Sequence, residues 1–110
     1  MPASGRFGAA ARLAFGAAAR SWRHDVYRSK LARKQKPTLE EIVLVGADKS
    51  ASAEWVREEA VLAGLDFTRK LVSDPPNIVY PESFVERVRA SVEGSGLEVT
   101  VLGRAEMEKL

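Results

Sequence analysis

Two adjacent prolines, Pro75 and Pro76, stand between two helical patterns, and no other feature limits the fold of this chain so sharply. Each proline fixes a backbone φ and removes an N–H donor. Pro75 also pushes Asp74 out of the α region. A helix arriving along Arg69-Lys70-Leu71-Val72 is therefore expected to stop near Ser73. Pro81 then has the preset φ that suits the first turn of a new helix. The segment between is short, apolar and bounded by stop and start signals. It describes a shaped joint rather than a loose linker.

The helix that reaches the joint is predicted over roughly residues 51–72. Val56, Ala60, Ala63, Phe67 and Leu71 recur at helical spacing and predict its apolar face. Glu54, Glu58 and Glu59 lie in its first half and Arg69 and Lys70 in its last turn, which suits the helix dipole. Asp48, Ser50 and Ser52 are candidate N-caps. Before them, Ile42-Val43-Leu44-Val45 is a continuous apolar run ending at Gly46, the pattern of a strand buried on both faces. Earlier still, Phe15, Ala18, Ala19, Trp22 and Val26 make one apolar face of a helix predicted at roughly 9–33, firm after Gly16.

Beyond the joint, Pro81 to about Glu93 reads as an amphipathic helix with Phe84, Val85, Val88 and Val92 on one face. Gly94-Ser95-Gly96 ends it. Leu97, Val99 and Val101 alternate with Glu98 and Thr100, as in a half-buried strand. Ala105–Leu110 begins a further helical pattern. The predicted order is α-β-α-α-β-(α), an α/β class. An isolated strand pair is marginal in water and leaves open edges. The two predicted strands are thus expected to complete sheets supplied from elsewhere, in a larger protein.

The chain has 110 residues, 45% hydrophobic and 29% charged, an ordinary globular balance. It has no cysteine, hence no disulfide and no thiolate metal site. No apolar run approaches the roughly 20 residues that cross a bilayer. Charge is uneven. Residues 1–36 hold nine Lys/Arg against Asp25 alone, a net of +8, and residues 37–110 carry a net of −6. The basic start admits three readings: an amphipathic helix with a solvated polar face, a transit peptide, or a nucleic-acid arm in which Trp22 and Tyr27 stack on bases.

Chemistry is sparse. His24 is the single histidine, and a lone His24–Asp25 pair in an Arg-rich segment is not a metal signature. Glu40-Glu41 and Glu58-Glu59 are adjacent pairs whose side chains diverge. Ser73-Asp74 has no histidine base near it in sequence, so no nucleophilic triad is in sight. Gly94, Gly96 and Gly103 do not follow a strand and open a helix, as a phosphate loop requires.

The joint also carries a resemblance. Ala63-Gly64-Leu65-Asp66-Phe67-Thr68-Arg69-Lys70-Leu71-Val72-Ser73-Asp74-Pro75-Pro76-Asn77 resembles the Ala-Arg-Asp-Leu-Val-Asn-x-Pro-Pro-Asn segment of leucyl (cytosol) aminopeptidases, the M17 metallopeptidases. Pro81-Glu82-Ser83-Phe84 is similar to the helix start that follows there, and Leu97–Leu102 and Glu106–Leu110 continue in register. Upstream, Leu39–Val45 resembles the family's Leu-Glu-Glu-Ile-x-Leu-Val strand. Trp22, His24, Asp25, Tyr27 and Arg28 fall on the Tyr, Phe, Asp, Tyr and Lys positions of its Gly-x-x-Leu-x-x-Tyr-x-Phe-Asp-x-Tyr-Lys helix. The resemblance covers about residues 13–110. Lys70, Ser73, Ala19 and His24 depart from the usual Asp, Asn, Leu and aromatic.

The resemblance implies a two-domain exopeptidase that releases N-terminal residues from peptides. It implies two divalent metal ions, zinc or manganese, a homo-hexamer and a cytoplasmic setting. Residues 1–46 would end the N-terminal α/β domain, residues 47–74 would form the connecting helix, and residues 75–110 would open the catalytic domain. The family's metal ligands cluster around an Asn-Thr-Asp-Ala-Glu-Gly-Arg motif that this sequence lacks. No catalytic, metal-ligating or cofactor-binding residue is therefore expected within 1–110, and the chain alone is expected to be inactive. His24, on an aromatic position, is expected to pack rather than ligate. A membrane or nucleic-acid partner is not expected. The alternative is a non-catalytic module whose basic N-terminal helix binds an acidic partner or nucleic acid.

Overall fold

The computed structural model describes residues 8–110. It contains α1 (Ala9–Ser21), a 3₁₀ turn (Arg33–Gln35), α2 (Ala51–Ser73), α3 (Pro81–Val92) and α4 (Arg104–Met107). The chain divides into two compact units, one ending at Ser73 and the other spanning Asp74–Leu110.

In the first unit α1 packs on α2. The two helices run in the same direction. At one end Gly8 lies beside Glu54, where a Cβ on Gly8 would sit 3.5 Å from the Glu54 carboxylate. At the other, Arg69 reaches Ala19. Helices in that arrangement need a long return, and residues 22–50 supply it. Between the ends, small Ala10, Ala11 and Ala14 let the backbones approach near Trp55. Ala11 is the one buried hydrophobic residue among those described. Glu54, in the first turn of α2, thus sits near the positive ends of both helix dipoles.

α2 matches its expected span, and the reasons are local. Asp48 accepts hydrogen bonds from the Ser50 backbone N–H (2.9 Å) and hydroxyl (2.6 Å). That closes the turn before the helix, and the Ser50 carbonyl accepts the Glu54 N–H. The helix stops at Ser73, as the prolines require. Its packed face agrees with the predicted one only in its second half: Phe67 and Leu71 are half-buried, whereas Val56 is 65% exposed and Ala60 and Ala63 are exposed. Trp55, Leu62, Leu65 and Arg69, which the predicted stripe left out, are half-buried as well.

α1 begins at Ala9, as predicted, and runs through Gly16, but it ends at Ser21, not near 33. Trp22 leaves the helix with ψ 137°. Arg23 and Arg28 turn to Asp25, and His24 stacks on Trp22 (centroids 5.9 Å, planes 16° apart). These contacts override an intrinsic helix preference of only tenths of a kcal/mol per residue.

The expected strands are absent: among the described residues there is no β ladder. The α-β-α-α-β-(α) order is thus realised only in its helices. A ladder exists only between paired chains, and neither Ile42–Val45 nor Leu97–Val101 finds a partner here. Far from buried on both faces, Val43 is 70% and Val45 93% exposed.

In the second unit, Pro81 opens α3 as its first residue, after an extended Tyr80. Val85, Val88 and Val92 are half-buried, and Phe84 is more exposed. Gly94 and Gly96 take φ of 75° and 79°, a region that suits glycine, and α3 ends before them.

Arg69 is the test of the first unit. Replacing it by Ala removes a charged hydrogen bond and a cation–π contact. The expected loss is about 1–3 kcal/mol of α1 docking. It reads as lower helical circular dichroism and red-shifted tryptophan emission. Arg69→Lys keeps the charge without the planar fork and falls between. Unchanged signals in Arg69→Ala contradict the packing described.

Candidate functional site

The joint begins where the helical ladder fails. Pro75 and Pro76 offer no N–H to the carbonyls of Leu71 and Val72, four residues back. The chain then folds on itself. The Pro75 carbonyl accepts the N–H groups of Ile78 (2.9 Å) and Val79 (3.0 Å). Ser83, in the first turn of α3, accepts the Tyr80 N–H at 2.9 Å and donates toward the Ile78 carbonyl at 2.9 Å. One turn further, Arg87 donates to the Asp74 carboxylate at 2.6 Å. The Asp74 side chain is only 9% exposed and that of Arg87 34%. From sequence, Asp74 reads as the residue before proline and as half of a Ser73-Asp74 pair without a base. Its partner lies 13 positions away, a distance that no short-range periodicity flags.

On the α2 side, the Arg69 guanidinium donates to the Ala19 carbonyl at 2.7 Å and lies 5.5 Å from the centre of the Trp22 ring. Asp66 is 3.6 Å away. The Ala19 carbonyl is one of the four at the end of α1 without a helical donor, so Arg69 caps one helix from the other. Trp22, His24 and Tyr27 form a chain of rings, with His24 edge-on to Tyr27 at 5.6 Å. His24 thus packs against both rings.

Arg23 bonds Asp25 at 2.5 Å and Arg28 lies 3.6 Å off. The Arg23 hydrogen bond holds the Asp25 carboxyl below its ordinary range; desolvation opposes it, and the neighbouring charges, Arg23 first, add to the lowering. The Ser50 hydroxyl does the same for Asp48. Among the described residues no three His, Cys, Asp or Glu side chains converge as a metal group. The two-metal centre implied by the resemblance thus has no fitting donor set in residues 8–110, and no catalytic step is assigned to them. No described helix is long and apolar enough to cross a membrane.

What the joint and its flanking helices do is shape the chain, and they lie in the stretch that carries the resemblance. The chain is similar to proteins named probable cytosol aminopeptidase. The protein of Caulobacter vibrioides is 41% identical over 102 residues, which is 92% of this chain and 20% of that protein. That of Dinoroseobacter shibae is 41% identical over 94% of the chain and 20% of its own length. That of Wolbachia pipientis is 35% identical over 93% and 21%. The chain thus spans about a fifth of the length of the curated relatives it matches. No protein-family profile matches it, and no solved structure does.

The Asp25 ion pair gives a pH test. The unfolded carboxyl ionises near ~3.9 and the folded one lower. Its stabilisation is therefore full above the unfolded value and is lost as pH falls through the folded one. Carboxyl carbon NMR should place Asp25 below ~3.9, and Arg23→Gln should move it up. Titration at the ordinary value in both forms contradicts the pairing.

Proposed function

We propose that residues 1–110 are the structural passage between two domains of a leucyl-aminopeptidase-like metallo-exopeptidase that releases N-terminal residues from peptides. Residues 1–46 end the first α/β domain, residues 47–74 connect, and residues 75–110 open the catalytic domain. The two divalent ions, zinc or manganese, the peptide site and the homo-hexamer contacts belong to the rest of that cytoplasmic protein. This stretch alone has no peptidase activity.

The observation that carries the reading is the match to cytosol aminopeptidases over nine-tenths of the chain. The surface supports it. A folded monomer of 12.0 kDa exposes about 6,000 Å², and this chain exposes 9631 Å². Leu39, Ile42, Val43, Leu44 and Val45 are among the exposed residues. Leu39 and Ile42 line a groove of about 390 Å³ with Ala14, Ala18 and Trp55. Apolar strands of this kind are at home inside a sheet flanked on both faces, which a longer chain supplies.

Two measurements test the proposal together. Purified residues 1–110 with manganese or zinc should release no chromophore from a leucyl anilide. The longer product read through the same frame should release it and lose the activity to a chelator. Cleavage by residues 1–110, or a frame that closes directly after Leu110, overturns the reading.

A further inference from the structure

We propose that the return segment is a proteolytic processing site, cut between Lys30 and Leu31 by an endopeptidase specific for lysine and arginine, and that the cut lets α1 leave α2. Residues 22–50 hold one short 3₁₀ turn and no other helix. Exposed segments without regular structure are where proteases enter a folded chain, because a helical bond must first unwind to fit the cleft. Arg28, Lys30, Arg33, Lys34 and Lys36 are all exposed, so each presents the side chain that such an enzyme reads.

The surroundings single out Lys30. Arg28 lies 3.6 Å from the Asp25 carboxylate, and its N–H donates to the Asp25 carbonyl. Arg33 and Lys34 stand in the 3₁₀ turn, which the Gln35 and Lys36 N–H groups close on the Ala32 and Arg33 carbonyls. Lys36 precedes Pro37, whose ring and missing N–H obstruct attack at that bond. Lys30 lies between the two turns, and among the described residues no backbone hydrogen bond engages Ser29, Lys30 or Leu31.

Water adds across the bond: Lys30 keeps the new carboxylate and Leu31 the new amine. What the cut does depends on how thin the helix contact is. α1 meets α2 through small alanines, the Arg69–Ala19 hydrogen bond and the Arg69–Trp22 contact. In the intact chain a flexible connection holds the two helices at an effective concentration of about 1 mM. At about 1 μM protein the severed piece loses that advantage by roughly a thousandfold, and residues 1–30 depart. All of these contacts lie in the first unit, and none depends on the aminopeptidase reading.

Brief trypsin digestion of the full product of the reading frame, read by intact mass and amino-terminal analysis, tests it. Within residues 1–110 the first new amino-terminus should be Leu31. It should form about tenfold faster than cuts after Arg12, Arg20, Arg57 or Arg69, which lie in α1 and α2 and need local unwinding first. Lys30→Gln should abolish that terminus and slow cleavage of the whole segment. Size exclusion at micromolar protein should separate residues 1–30 from the remainder. First cuts inside α1 or α2 overturn the proposal. So does segment cleavage as fast in Lys30→Gln as in the native chain, or a severed piece that stays with the remainder.

Discussion

The guanidinium of Arg69 holds the first unit together. It supplies a donor to a carbonyl at the end of α1 and a cation to the face of Trp22, where α1 gives way to the return segment. A single planar group thus fixes how far α1 extends and where the chain turns. It also selects which stripe of α2 faces inward. Lysine has the charge but not the flat fork that meets a carbonyl and a ring at once. The interaction matters more because little else supports the pair. Small alanines line the α1–α2 contact, and they bury little apolar area per residue.

That thin core explains the character of the whole chain. Hydrophobic burial must offset roughly 1–2 kcal/mol of backbone entropy per ordered residue, and one buried alanine among the described residues cannot do so. Helices tolerate this better than strands, since their hydrogen bonds are internal. A strand without a neighbour has neither bonds nor burial. Leu39–Val45 and Leu97–Val101 therefore carry strand patterns without strand structure, and their apolar side chains meet water. Incomplete burial and similarity to about a fifth of a longer protein fit one account.

The helices following the return segment were legible because their limits are chemical and local. Pro81 opens α3, Pro75 halts α2, and Asp48 with Ser50 prepares the start of α2. The end of α1 was not legible. Alanine and arginine favour continuing the helix, and what stops it is Arg69, fifty residues away in sequence, together with the ring stack on Trp22. The packed stripe of α2 was legible at Phe67 and Leu71 but not in the first half of the helix, for a related reason. Val56-Ala60-Ala63 and Trp55-Leu62-Arg69 both satisfy helical spacing, and only a neighbouring helix chooses. The strands failed for a different reason: an alternating or continuous apolar pattern does not supply a pairing neighbour, and none is present among the described residues. The resemblance itself was legible because Pro75-Pro76-Asn77 stands co-linear with several flanking motifs. The Asp74–Arg87 ion pair was not, because nothing in spacing ties the two residues together.

The central claim is that this chain is built to be completed by more polypeptide. Differential scanning calorimetry of residues 1–110 tests it most directly. An independently folded domain of about 100 residues absorbs roughly 60–80 kcal/mol in one sharp transition. The account predicts a broad, weak absorption well below that range, with no single cooperative step. One sharp transition at the full enthalpy, with equal calorimetric and van't Hoff values, would contradict it.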